Sequence, residues 1–304
     1  MSTRATDRML SSLAGLCVGD AFGERFFVSP DVVDSLIEQR ATPQPPWPYT
    51  DDTAMAMSLA ETLLVHGEVD VEDLGRRFAA RYAEEPGRGY GPSMHDQMRR
   101  LIDGESPYVV APSMFGGSGS YGNGSAMRVA PLGAFFVNEP QRLTQQAVLS
   151  STVTHTHPEA QAGAIAVAVA TALLCREEDL PFDDFISCLI DAVPSSEVRR
   201  GLRKALVIGA QGKVAHAAQS LGSGNRISAQ DTVPFCVWIV AGERDDFERA
   251  LWKTVSGLGD RDTTCAIVGG MLGARLGREG IPAAWCEAAE QPDLRCDPPD
   301  VRGR

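Results

Sequence analysis

Apolar positions along this chain recur mainly at intervals of three and four. Met9, Leu13, Leu16 and Cys17 share one face of a helix predicted over 8–19, and Met55, Leu59 and Leu63 do the same over 52–66. Shorter amphipathic helices are predicted over 71–82 and 93–102. Further helices are expected over 129–136, 140–155, 182–193, 196–221, 232–241, 247–258 and 262–276. The stretch 158–174 is apolar on nearly every side, which predicts a helix buried at the centre of the fold. There are no alternating Val/Ile/Thr runs with hairpin signals, no sustained heptad and no internal repeat. The pattern therefore predicts an all-α, compact single-domain helical fold over 1–290. A charged, proline-containing tail over 291–304 is expected to be flexible. Ala/Gly-rich helices such as 162–172 and 266–274 allow close packing of helix axes. Three loops interrupt the helical pattern: a proline-rich one over 41–50 ending in acids, a Gly/Ser-rich one over 113–126, and a polar one over 221–230 expected to be a surface connection.

Charge and cysteine content narrow the picture. The 304 residues carry a net charge of −12, which opposes a broad nucleic-acid-binding surface. An anionic ligand remains compatible, because backbone amides and cations can hold a diphosphate locally. The seven cysteines are scattered with no CxxC pair, so reduced thiols are expected rather than zinc or a disulfide framework. Cys17, Cys175 and Cys188 stand among apolar residues and are expected in the core. No signal-peptide pattern opens the chain, and the longest apolar run, 162–174, is too short to span a bilayer. A cytoplasmic protein with no membrane partner is expected.

Four constellations carry chemistry. In Tyr49-Thr50-Asp51-Asp52-Thr53, two carboxylates and two hydroxyls stand at the start of an apolar helix. That arrangement suits an N-cap with acids in the first turn, and it also suits hard cations. The segment Gly257–Thr264 repeats the chemistry with Asp260, Asp262 and Thr263 before an Ala/Gly-rich helix. Two such clusters favour metal binding, and their all-oxygen donors suit Mg²⁺ or Mn²⁺ rather than zinc. In Gly116–Ser125, glycines let backbone amides form an anion nest, with Tyr121 available to stack on a base. A flexible linker has the same composition. Arg128 follows as either a nearby cation or a structural anchor. Finally, Thr154-His155-Thr156-His157 offers a ligand contact, a packed histidine or, less favoured without a third His or a Cys, a transition-metal pair.

In this order and spacing, the constellations resemble the ADP-ribosylglycohydrolase family. The resemblance runs from Gly15-Leu16-Cys17-Val18-Gly19-Asp20-Ala21-Phe22-Gly23 to Gly273, with the supporting motifs at 49–53, 120–128, 154–158 and 259–263. It implies an all-α, usually monomeric fold with two Mg²⁺ in a central cleft, bound by Thr50, Asp51, Asp52, Asp260, Asp262 and Thr263. It also implies that Gly119, Ser120, Tyr121, Gly122, Asn123 and Gly124, with Arg128 and His155 close by, contact the ligand. The run 120–129 looks most like the branch acting on O-linked ADP-ribose. Two positions depart from the family pattern: Phe27 stands where many members carry an acid, the nearest being Glu24, and Arg261 replaces the usual threonine between the late aspartates.

The implied reaction is hydrolysis of a glycosidic bond to ADP-ribose on a modified protein, nucleic acid or small molecule. Its transition state has oxocarbenium character, stabilised by Asp51, Asp52 and Asp262, with Glu24 as candidate acid or base. Two alternatives use the same residues: two-metal hydrolysis of a phosphoester or pyrophosphate, and a non-catalytic ADP-ribose binder.

Overall fold

The computed structural model describes residues 3–176 and 179–295. Among these the chain forms seventeen α-helices and one 3-10 turn, with two isolated β-bridges and no strand. The first part comprises α1 (Thr3–Glu24), α2 (Pro30–Gln39), α3 (Asp51–His66), α4 (Val71–Glu84) and α5 (Pro92–Ile102). Then come α6 (Pro107–Gly117), α7 (Gly124–Met127), α8 (Ala130–Phe135), α9 (Pro140–Thr152) and α10 (Pro158–Leu174). The last part comprises α11 (Phe182–Ala192), α12 (Glu197–Ile208), α13 (Val214–Leu221), α14 (Ala229–Gly242), α15 (Phe247–Val255), α16 (Arg261–Leu276) and α17 (Ala283–Ala288).

The all-α expectation holds, and α10 is buried along nearly its whole length, as its all-round apolarity requires. Several boundaries differ. The single helix expected over 196–221 is two, because Gly209 takes φ 71° and its carbonyl accepts from Trp238 Nε1 at 2.9 Å. The helix expected to reach residue 155 stops at Thr152, which releases His155 into a turn. Part of the loop expected over 113–126 is helical, in the end of α6 and the short α7. Cys188 is exposed rather than in the core, because α11 buries Phe185, Ile186 and Leu189 instead. The described cysteines are all free.

The pairing of α1 with α16 sets the site. Gly15, Gly19 and Gly23, four residues apart, lie on one face of α1. A Cβ on Gly15 would stand 2.3 Å from the Gly269 carbonyl, one on Gly19 2.1 Å from that of Cys265, and one on Gly23 2.2 Å from that of Arg261. As the α1 partner advances from 15 to 23, the α16 partner retreats from 269 to 261. The helices are therefore antiparallel and almost in backbone contact, which brings Asp20, near the end of α1, beside Asp260–Asp262 at the start of α16.

The segment before α3 is fixed from behind. Trp47 is buried in a cluster with Phe22, Phe26, Trp252 and Trp285, in which Phe22 stacks on Trp285 at 4.3 Å. Trp47 also bridges to Ala289, and Glu290 grips Arg88 at 2.7 and 2.8 Å. Beyond it, 291–295, the first part of the expected flexible tail, is hydrogen-bonded to the body of the fold. Arg295 N donates to Glu61 Oε1 at 2.6 Å, Arg81 donates to the Asp293 carbonyl at 2.8 Å, and Arg77 donates to the Arg295 carbonyl at 3.1 Å. Buried charges recruit this strap, since Glu61, Arg77 and Arg81 need partners away from water. The rest of the expected tail, 296–304, lies outside the described residues.

Candidate active site

The first turn of α3 and the start of α16 converge on one cleft. Asp51, Asp52, Asp260, Asp262 and Thr263 line it, together with Ser120, Tyr121, Gly122, Asn123, Gly124 and His155. Its volume is about 330 Å³, within the range usual for small-molecule sites. A larger groove of about 790 Å³ runs along 245–248 and 276–287, and no predicted site residue lines it. Four further predicted residues stand outside the cleft lining: Glu24, Thr50, Gly119 and Arg128.

Asp20 organises the carboxylate end. Its Oδ1 accepts from Thr50 Oγ1 at 2.8 Å, and its Oδ2 accepts from Thr50 N at 2.9 Å, Thr53 N at 3.1 Å and Thr53 Oγ1 at 2.5 Å. Fully buried and saturated with donors, Asp20 holds the first turn of α3 in place. Thr50 is the N-cap of that helix and also bonds Asp52. Asp51 N donates to the Arg88 carbonyl at 2.7 Å, so the Arg88–Glu290 pair steadies this loop as well. Asp20 is a lone acid among the small and apolar residues of the Gly15–Gly23 motif, and that isolation is the signal the sequence offers for its role.

Among the described residues the facing acids form no salt bridge. Burial and the neighbouring Asp262 raise Asp20 to about 7 against its bonds from Thr53 and Thr50. Burial and Asp262 likewise raise Asp260 to about 8, although Asn123 donates to it at 2.7 Å. Asp51 and Asp52 are pushed well above the carboxylate range, first by burial and then by the surrounding aspartates. Asp52 Oδ1 and Asp262 Oδ1 are buried with no hydrogen-bond partner among the described residues. Buried acceptors left unsatisfied next to like charges fit hard divalent cations. Among the described residues no three His, Cys, Asp or Glu side chains form a metal-holding group by themselves, so a cation here would complete its shell with hydroxyls and water.

The glycine loop forms another wall. Gly122 bridges to Ser228, and Ala229 N donates to the Tyr121 carbonyl at 3.1 Å. His155 packs beneath: a Cβ on Gly122 would meet its Nε2 at 3.1 Å, and one on Gly124 its Cε1 at 2.7 Å. Burial, then Arg128, lowers His155 to about 3, so the ring is neutral. His157 instead caps α10 through Nδ1 and meets Tyr121 edge-on, so the two histidines do not form a metal pair. Gly119 abuts Thr156 and His157 with φ 70°, shaping the loop from outside the cleft. Arg128 is an anchor beneath it. The guanidinium is fully buried, donates to the carbonyls of Gly124 and Ser150 and to Thr154 Oγ1, and stacks on Phe78 at 4.7 Å.

The rim contains residues the sequence reading did not single out. Phe115 and Ile227 line the cleft, both exposed and both at positive φ, near 53° and 50°. Arg226 joins them, so the 221–230 segment is part of the site rather than only a surface connection. The two departures from the family pattern meet: Arg261 stacks over Phe27 at 4.4 Å and donates to the Phe26 carbonyl at 2.9 Å. Glu24 is half-buried beside them, its carboxyl raised by burial and by Asp262 against Arg25 and Arg261.

A profile of the ADP-ribosylglycohydrolase family matches residues 1–300. Human ADP-ribosylhydrolase ARH3 is 30% identical over 96% of this chain and 93% of its own length. The ADP-ribosyl-dinitrogen reductase glycohydrolase of Rhodospirillum rubrum is 25% identical over 92% of this chain and 89% of its own. A solved structure titled ADP-ribosylglycohydrolase-related protein complex superposes with a TM-score of 0.69 at 27% identity, covering 95% of this chain and 94% of that one. With these likenesses added to the facing carboxylates and the glycine-walled cleft, the chain belongs to the ADP-ribosylglycohydrolase family and is an ADP-ribosyl hydrolase.

Proposed function

We propose that this enzyme hydrolyses the bond between the anomeric carbon of ADP-ribose and an acceptor oxygen, with two divalent cations, Mg²⁺ or Mn²⁺, as cofactors. The observation that carries this reading is the pair of unsatisfied carboxylate oxygens, Asp52 Oδ1 and Asp262 Oδ1, buried at the end of the glycine-walled cleft. Asp51, Asp52, Asp260 and Asp262, with the hydroxyls of Thr50 and Thr263, would hold the cations. Bound there, the ions supply orientation of the ribose hydroxyls and of an attacking water.

The chain's own groups do the remaining work. Amides of 120–124 bind the diphosphate, and the exposed rings of Phe115 and Tyr121 flank the base. This remote binding holds the sugar for reaction. As the C1″–O bond to the acceptor breaks and the water oxygen bonds to C1″, positive charge develops on the ribose. The aspartates stabilise it, and a carboxylate oxygen not committed to a cation takes the proton from the water. Glu24, outside the cleft lining and electrostatically coupled to Asp262, relays that proton towards the departing acceptor oxygen without touching the sugar. The departing acceptor oxygen leaves protonated, and the products are a free hydroxyl and ADP-ribose.

Peptides carrying serine-linked or arginine-linked ADP-ribose, assayed with Mg²⁺ and with a chelator, test this proposal. Magnesium-dependent release from the serine-linked peptide is expected. Release from the arginine-linked peptide alone, or undiminished release in the chelator, overturns it.

A further inference from the structure

A second cavity of about 330 Å³ adjoins the cleft, and both are lined by Arg226. It lies between α12, α13 and the loop before α14, and its polar lining includes Arg200, Lys204, Glu197 and Asp231. Its two acids are already engaged. Glu197 pairs with Arg200, and Asp231 Oδ2 accepts from Arg226 N at 2.8 Å. Among the described residues Lys204 reaches only the Ser220 carbonyl, at 3.5 Å. The guanidinium of Arg226 has no hydrogen-bonding or ionic partner among the described residues. Two cations without carboxylate partners therefore face this groove, on a chain whose net charge is −12.

The ridge between the cavities is held firmly. Ile227 N donates to the Gly224 carbonyl at 2.7 Å, which keeps this β-branched residue at φ 50°. Such a conformation is costly and persists only when its surroundings impose it. The ridge joins the Tyr121 side of the cleft through the Gly122–Ser228 bridge. If the carboxylates hold the distal ribose, this side takes the adenosine.

We propose that this groove is an anion subsite that accepts a further phosphate carried on the adenosine side of the bound ADP-ribose. The inference rests on the reading of the cleft as an ADP-ribose site. The shared chemistry is a phosphate beyond the first diphosphate, and two sources supply it: a phosphomonoester on the adenosine ribose, or the next diphosphate of a chain of ADP-ribose units. Lys204 and Arg226 would pair with it.

Calorimetry tests the proposal with ADP-ribose, ADP-ribose 2′-phosphate and a linear ADP-ribose dimer, on the intact protein and on Lys204→Glu. The intact protein should bind at least one extended ligand about fivefold or more tightly than ADP-ribose, the scale of an added charge-assisted contact. Lys204→Glu should abolish that gain and leave ADP-ribose affinity unchanged. Gain with the 2′-phosphate assigns a phosphomonoester, and gain with the dimer alone assigns a polymer. ADP-ribose binding with no gain for either extension overturns the subsite while preserving the cleft assignment. A gain that survives in Lys204→Glu also overturns it. Failure of all three ligands to bind overturns the cleft assignment and the subsite together.

Discussion

Asp262 acts electrostatically on every acid around it: Asp20, Asp51, Asp52, Asp260 and Glu24 all have raised proton affinity, with burial the first cause and Asp262 among the others. The folded state therefore binds protons that the unfolded chain releases near pH 4. That stabilisation is present below the unfolded carboxylate values and is lost as pH rises through about 7 for Asp20 and about 8 for Asp260. Metal-free protein should consequently melt lower at pH 8 than at pH 6. Cations that displace the protons should raise Tm more at pH 8 than at pH 6; scanning calorimetry showing equal gains would contradict the assignment. Glu24→Gln tests a different residue. A proton relay should lose about 10²–10⁴-fold in turnover, with ADP-ribose affinity near that of the unsubstituted enzyme. Paired single-turnover and calorimetric measurements check this, and near-normal turnover removes Glu24 from the mechanism. Gly122→Val should weaken ADP-ribose binding, because the added carbons meet His155 and Ser120 within 3.1 and 3.2 Å of the new Cβ. Unchanged affinity by calorimetry would mean that the 120–124 amides do not hold the ligand.

Helix pairing turns these residues into a site. Asp20 and Asp262 are far apart in sequence and come together because α1 and α16 cross almost backbone to backbone over a glycine face. Gly19→Ala places a Cβ 2.1 Å from the Cys265 carbonyl, so the helices must separate. Urea denaturation should show a loss of about 1–3 kcal/mol, the usual cost of overpacking; no loss would mean that the crossing tolerates a wider spacing. The long helices were legible because their apolar faces repeat over several turns. Shorter elements left weaker marks. Only Val33 of α2 is buried, and α17 buries only Trp285, so neither presents a full apolar stripe. Pro30, and Ser106 with Pro107, were readable start signals for α2 and α6. The break at Gly209 was masked by apolar residues on both sides that continue a helical spacing. The candidate ligands were readable as two oxygen-rich clusters, whereas Phe115, Arg226 and Ile227 enter the cleft only through the three-dimensional path of their loops.

At the scale of the molecule, the chain closes on itself behind the cleft. Trp47 pairs with Ala289, Glu290 clamps Arg88, and the 291–295 strap satisfies the buried network of Glu61, Arg77 and Arg81. The proline and charge content of the tail is visible in sequence, while the buried acid and arginines that contact 291–295 are distant. Glu61→Gln should destabilise the whole fold by about 3–5 kcal/mol, as buried charges lose their partner, and chemical denaturation measures this. No helix among the described residues is long and apolar enough to cross a membrane. This whole arrangement is proposed to deliver ADP-ribose hydrolysis at a cation-loaded carboxylate cluster. Product analysis of a serine-linked ADP-ribosyl peptide, incubated with the intact enzyme and with Asp262→Ala in Mg²⁺ and in EDTA, tests it most directly. Free ADP-ribose and unmodified peptide are expected from the intact enzyme with Mg²⁺, and neither product from the other three reactions. AMP as the product, or ADP-ribose released equally in EDTA or by Asp262→Ala, would contradict it.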